Sequence, residues 1–276
     1  MKLKILIFVI CLATFNLKAQ TDSAATAAPE KATLTLAAIY GNNVSYYGQA
    51  TLEKLPYLLT NATFRLPFGM YFSASSYKLL NYGTGISASD LGIGYDHTFN
   101  PKLQAGISYT RSFFPENSPL LQAANENNIN AQIDYQWPWF KSALSTDFAF
   151  GLEKDVFISF NNAKLIELGS LFNEKDQIAI EPAIELVAGT QHFLETYTQK
   201  KNNGKGKGSG NGNTKTIEIT ATSFNLLTYN FKVPFTYSRS NYMAEFAYQY
   251  SLLGGKALAD TKNTQSFFNI SFYYQF

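Results

Sequence analysis

The chain has 276 residues, with 22 basic and 20 acidic side chains, 16% aromatic residues and one cysteine. So even a balance leaves no electrostatic footprint for nucleic acid. The lone Cys11 falls in an N-terminal apolar run, so the rest of the chain holds no disulfide, thiolate nucleophile or thiolate metal site.

Lys2 and Lys4 precede that apolar run, 5–15, and Leu17, Lys18 and Ala19 offer a cleavage site before Gln20. This is the pattern of a secretory signal peptide over 1–19. The run is too short for the roughly 20 residues that a membrane helix needs, and no longer one follows. The residue before Cys11 is Ile10 and not a small one, so lipidation is not expected. Removing 1–19 takes away Lys2, Lys4 and Lys18 and no acid, which leaves 19 basic against 20 acidic residues and a net charge of about −1. Residues 20–31 are small and polar, and read as a flexible periplasmic lead-in.

From residue 32 to 276 the chain breaks into segments of about ten residues in which apolar and polar side chains alternate. Strands are expected near 32–47 and 56–66, followed by a short turn at 67–69 and a polar stretch at 79–88. Leu103, Ala105, Ile107 and Tyr109 then oppose Gln104, Gly106 and Ser108, and Ala131, Ile133, Tyr135 and Trp137 oppose Gln132, Asp134 and Gln136. Short turns at 100–102 and 138–140 bracket a polar stretch at 115–127. An upward strand 141–150, a tight hairpin at 151–154 and a downward strand 155–162 follow. The connection 163–176 has Leu165, Ile166, Leu168, Leu171 and Phe172 at partly helical spacing, which fits an interfacial helix or a turn packed beneath the barrel. It leads to a long strand, 177–198.

Residues 200–215 are rich in Gly, Asn and Lys and cannot bury a core, so they read as a disordered loop. Leu227, Tyr229, Phe231, Val233 and Phe235 oppose Thr228, Asn230 and Lys232, and Tyr242, Ala244, Phe246, Tyr248 and Tyr250 oppose Met243, Glu245, Ala247 and Gln249. A short turn at 238–240 and a polar stretch at 253–263 flank that last pair. Finally Phe268, Ile270, Phe272, Tyr274 and Phe276 share one face of 264–276. Short turns alternating with longer loops give a closed antiparallel transmembrane β-barrel of about twelve strands, with ten or fourteen as alternatives and both termini periplasmic. That parity puts 200–215 outside the cell. No second domain is expected.

By alternation Arg65, Asp96, Asp134, Asp147, Glu181, Glu185, Lys232 and Glu245 face the lumen. If the lumen is open, the excess of carboxylates favours cations. If it is filled, Arg65 and Lys232 pair with the acids as a structural network. A barrel of this size lies between filled and open. Glu181 and Glu185 share a strand face, which suits selectivity or a salt-bridge ladder better than acid–base chemistry. Of the two histidines, His97 is in phase with lipid-facing Tyr95 and Phe99, while His192 lies in the long strand with no Ser-His-Asp arrangement legible around it. Trp137, Trp139 and Phe140 suit the periplasmic aromatic belt, and Arg111 would snorkel to lipid phosphates. Lys200, Lys201, Lys205, Lys207 and Lys215 form a basic external loop, either a plain solvated loop or a tether for lipopolysaccharide phosphates. No catalytic residue, metal site or cofactor is expected.

The alternating aromatic end of the chain, the Lys18-Ala19-Gln20 junction and the Tyr and Phe richness resemble outer-membrane barrels of the Bacteroidota. So do 188–193 with 195–197, and 226–231. In such barrels the terminal aromatics, here Phe272, Tyr274 and Phe276, form part of the signal read by the barrel-assembly machinery. Asp22-Ser23-Ala24 resembles an O-glycosylation acceptor of that phylum, which marks Ser23. The resemblance implies a protein surrounded by outer-membrane lipid and lipopolysaccharide. It leaves two functions open: a narrow, weakly cation-preferring channel for small solutes, or a non-conducting barrel that serves as a surface protein or as a subunit of an outer-membrane complex.

Overall fold

The computed structural model describes residues 31–51, 53–116, 118–173, 175–194, 224–254 and 263–276. The expected signal peptide, nearly all of the lead-in with Ser23, and the basic loop with Lys200, Lys201, Lys205, Lys207 and Lys215 lie outside the described residues.

The first seven strands are β1 (Thr33–Gly41), β2 (Tyr57–Arg65), β3 (Met70–Leu79), β4 (Ala88–Asn100), β5 (Leu103–Phe113), β6 (Asn127–Gln136) and β7 (Lys141–Phe150). The others are β8 (Lys154–Ala163), β9 (Ile166–Gly169), β10 (Asp176–Ile180), β11 (Ala183–Gly189), β12 (Asn225–Arg239), β13 (Tyr242–Leu253) and β14 (Thr264–Gln275). Each pairs antiparallel with its neighbours; β1 meets β14 and β11 meets β12, so the sheet closes on itself.

The fourteen segments make twelve staves, because two staves are each broken by proline-containing or looped positions without losing register. Ile180 pairs with Phe235 and Ala183 with Lys232, three residues on along both strands, so β10 and β11 are one stave interrupted at Glu181 and Pro182. Likewise Ala183 pairs with Ala163 and Ile180 with Ile166, so β9 continues β8. Pro182 has no N–H to give the ladder, but its carbonyl accepts from the Lys164 amide at 3.1 Å. A closed twelve-stranded antiparallel barrel is therefore the architecture, as the loop parity predicts. Closure pairs the backbone polar groups that lipid cannot satisfy.

The alternation sorts the faces. Leu36, Phe64, Phe72, Leu91, Ile107, Ile184 and Ile270 point outward and stay exposed, forming the lipid-facing band. At its periplasmic edge Trp137 lies 4.5 Å from Tyr135 and 5.8 Å from Phe140, ring to ring, and His97 sits between Tyr95 and Phe99 at 6.2 and 4.6 Å. Phe272, Tyr274 and Phe276 extend this belt, with Phe276 64% exposed. Arg111 bonds Glu126 at 2.7 Å and stays partly exposed, because the returning β5–β6 loop brings that carboxylate alongside.

Three expectations about the connections are corrected. Strand 32–47 stops at Gly41, and 42–56 leaves the wall. The connection 163–176 is neither helix nor packed turn. It is a hairpin of β9 and β10 whose Leu168 and Phe172 stay exposed, and the Asp176 carboxylate shapes its turn by accepting the Leu171 and Phe172 amides at 2.9 Å. Strand 177–198 ends at Gly189, and 192–194 are helical. Both over-long strands exceed the roughly 9–11 residues that a tilted strand needs to cross the bilayer, a limit that argues for an earlier stop.

Candidate functional site: the lumen and its stoppered mouth

The inward face carries every charged residue that alternation assigns to it. Arg65 on β2 reaches across β3 to Asp96 on β4 at 2.7 Å, with its guanidinium 4.7 Å above the Tyr71 ring. Lys232 on β12 bonds Glu185 on β11 at 2.8 Å, and Asn230 Nδ2 donates to the same Glu185 oxygen at 2.7 Å. Asp134 bonds Lys141 at 3.0 Å. Lys141 is an inward cation that sequence reading missed, since it stands at the first position of its strand, beside a turn. Glu181, opposite Pro234, and Glu245, opposite Thr236 and Ser271, face the lumen from either side of β12. Neither has a cationic partner among the described residues. Glu181 and Glu185 thus share a face but not an environment.

Asp147, higher on β7, accepts from Asn128 and Asn130 side-chain amides, both at 2.9 Å. It is 8% exposed, whereas Arg65 and Lys232 keep 29% and 35% of their side chains accessible. The lumen is therefore more accessible toward the periplasm and closed toward the outside.

Three external segments close it. The β1–β2 loop runs across the barrel to β8, which stands opposite β2 on the ring, six staves away in either direction. Its Tyr47 ring stacks on Phe157 at 3.8 Å and 16°, and Tyr46 meets Phe157 and Phe193 edge-on at 5.6 and 4.9 Å. The 3-10 turn Leu121–Ala124 from the β5–β6 loop and the helical turn at 192–194 pack against the same cluster, with Val187 and Leu227 from the wall. Leu227 turns inward because the β11–β12 register slips between Val187 and Ala188. A second cluster of Val44, Leu55, Leu79, Ala88 and Leu120 seats the base of the loop. Of the two alternatives for the interior, the outer end is filled.

One buried carboxylate ties two of these segments to the wall. Asp155, fully buried on β8, accepts from Thr190 Oγ1 at 2.7 Å, the His192 amide at 2.8 Å and the Phe193 amide at 3.0 Å. Asn125 Nδ2 at 2.9 Å and His192 Nδ1 at 3.0 Å complete its shell. Sequence reading left His192 in a strand with no acid beside it, because Asp155 is 37 positions away. The pair braces the mouth: Asp155 holds the His192 ring at Nδ1 and takes the Thr190 hydroxyl, and among the described residues no hydroxyl is bonded to that ring.

Tyr46 and Tyr47 lie outside the membrane-spanning strands, and burial raises both phenols well above the ordinary tyrosine range, with Asp147 and Asp155 adding to the rise. The neutral form is the seated form. Since an unseated phenol titrates near 10, the stabilisation is complete below about pH 10 and is lost as pH rises beyond it. Ultraviolet titration of tyrosinate should show Tyr46 and Tyr47 ionising after the exposed tyrosines, together with loss of the near-ultraviolet dichroism of the stack. In Tyr46→Phe/Tyr47→Phe the late step should shrink by two tyrosines, and the dichroism change of the stack should be absent.

No protein-family model matches the chain, and no curated protein matches it. Among solved structures the fold is similar to a KdgM porin, with TM-score 0.51 and 10% identity over 88% of this chain and 99% of that one. It is also similar to LpxR from Salmonella typhimurium, with TM-score 0.50 and 10% identity over 87% of this chain and 99% of that one. At such identity the likeness is one of fold, that of outer-membrane barrels. A closed barrel with an apolar outer band and a polar lumen is an outer-membrane barrel.

Proposed function

We propose that the protein is a narrow porin-like channel for small solutes with a weak preference for cations. The carrying observation is the lumen's charge pairing. Arg65, Lys141 and Lys232 are each matched to one carboxylate, while Glu181 and Glu245 remain unmatched by any cation among the described residues. Two uncompensated carboxylates beside one stave raise the local cation concentration in the more accessible, periplasmic half. Planar-bilayer recording of refolded protein under a salt gradient tests this. The reversal potential should report cations ahead of anions by a few-fold, and Glu181→Lys with Glu245→Lys should turn that preference over. Glu185→Gln should change it less, since Lys232 already balances that charge. An anion preference in the unaltered protein would sink the reading.

The stoppered mouth favours a second reading, a non-conducting barrel that serves as a subunit of an outer-membrane complex. Purification from native membranes in mild detergent separates the two. A stoichiometric partner and no conductance supports the second; a solitary, conducting barrel supports the first.

A further inference from the structure

The tip of the β1–β2 loop holds a backbone that its own sequence disfavours. Tyr46 and Gln49 exchange N–H···O=C bonds of 2.8 and 3.0 Å, and the two residues between them, Tyr47 and Gly48, have φ of 52° and 81°. This is a two-residue turn with both central residues left-handed, a geometry usually given to Asn or Gly at its first position. Bulky Tyr47 sits there under strain, and its ring lies flat on Phe157.

The base of the loop is fixed by other means. The Asn42 amide donates to the Phe268 carbonyl at 3.1 Å, the Phe268 amide donates to Asn42 Oδ1 at 2.8 Å, and the Leu55 amide donates to Asn43 Oδ1 at 2.7 Å. The tip touches the far wall through the two rings, a bond from Thr228 Oγ1 to the Tyr47 carbonyl at 2.9 Å and one from Gln191 to Gln49 at 3.1 Å. Its seat is close-fitting: a Cβ on Gly48 would stand 2.5 Å from Asn230 Oδ1.

We infer that residues 45–50 form a displaceable latch, which closes the external mouth when Tyr47 is seated on Phe157 and opens it when the tip swings outward on its fixed base. Unseating relieves the backbone strain at Tyr47, which offsets part of the lost packing and keeps the two positions close in free energy. The wall uncovered beneath the tip includes Thr228, Asn230 and Asp147, all polar and nearly inaccessible while the latch is shut. Release therefore opens a gap with a polar wall beside the turns at 121–124 and 192–194, one that admits water and ions.

The inference rests on the channel reading, and one set of bilayer recordings separates the two. The refolded full chain is compared with Tyr46→Ala/Tyr47→Ala and with Gln49→Cys/Gln191→Cys, barrel formation being checked by heat-modifiable migration. The unaltered protein should be mostly closed with brief openings, and the double alanine variant should be open about tenfold more often or more, from the loss of its aromatic contacts. The cysteine pair, joined through mixed disulfides by a short bifunctional methanethiosulfonate that spans the length of the two lost side chains, should show no openings, and dithiothreitol should restore them. A folded double alanine variant that opens no more often than the unaltered protein overturns the latch and leaves the channel standing. Silence from all three barrels, with or without reductant, overturns the channel reading and the latch with it. If the double alanine variant does not fold, the cross-linked pair decides alone, and unaltered conduction through it rejects the latch.

Discussion

Asp155→Ala should loosen the outer mouth of the barrel while its staves stay paired. The carboxylate is fully buried and gathers donors from Asn125, Thr190, His192 and Phe193, so Ala leaves two backbone amides and three side chains without that acceptor. Removing one side of a buried, hydrogen-bonded charge cluster costs about 3–5 kcal/mol, which equals roughly two to four powers of ten in the opening equilibrium. Hydrogen exchange should report that acceleration at the His192 and Phe193 amides, with little change at wall amides such as Ile107 or Phe246. Asp155→Asn should fall between, because one oxygen can still serve Thr190 and the His192 amide while the new NH₂ opposes donors on the other side. Equal protection in all three proteins would mean that the 192–194 turn is held by Phe193 and Leu194 packing alone.

Gly69→Ala should damage the opposite end. Gly69 has φ 98° in the β2–β3 turn, its amide donates to the Leu66 carbonyl at 3.0 Å, and its carbonyl accepts from the Asp96 amide at 3.1 Å. An added Cβ would run into the Asp96 carbonyl oxygen, a backbone atom that cannot rotate away. The left-handed φ and the collision together are expected to cost about 2–4 kcal/mol. They also pull Asp96 away from Arg65, breaking the pair at the periplasmic rim. Urea titration of the heat-modifiable band should show the midpoint falling. Gly83→Ala is the control: its φ is 58°, but a Cβ there meets nothing within 4 Å, so only the smaller backbone strain remains. Equal midpoints for the two variants would show that the Asp96 collision is relieved by a shift of the turn.

Much of this molecule is legible in its sequence because a strand's side-chain period is local. Leu103 to Tyr109 and Tyr242 to Tyr250 alternate whatever lies beside them, and once the fold is a barrel each residue's parity says whether it meets lipid or lumen. Arg65, Asp96, Asp134, Asp147, Glu181, Glu185, Lys232 and Glu245 fall on the inward face by that parity alone. The twelve-stave closure follows from the same pattern with the turn lengths. Tertiary structure decided which inward charges neutralise one another, since Arg65 and Asp96 meet across an intervening stave and the match depends on register. It also decided the mouth. Tyr47 reaches Phe157 only after closure has brought opposite staves within a lumen's width, and Asp155 reaches His192 only once β8 and β11 pair, so no short-range period encodes either contact. Where the backbone leaves the sheet, at Asn42 and at Thr190, the two-residue period stops carrying information, and long-range packing chooses the course of the chain.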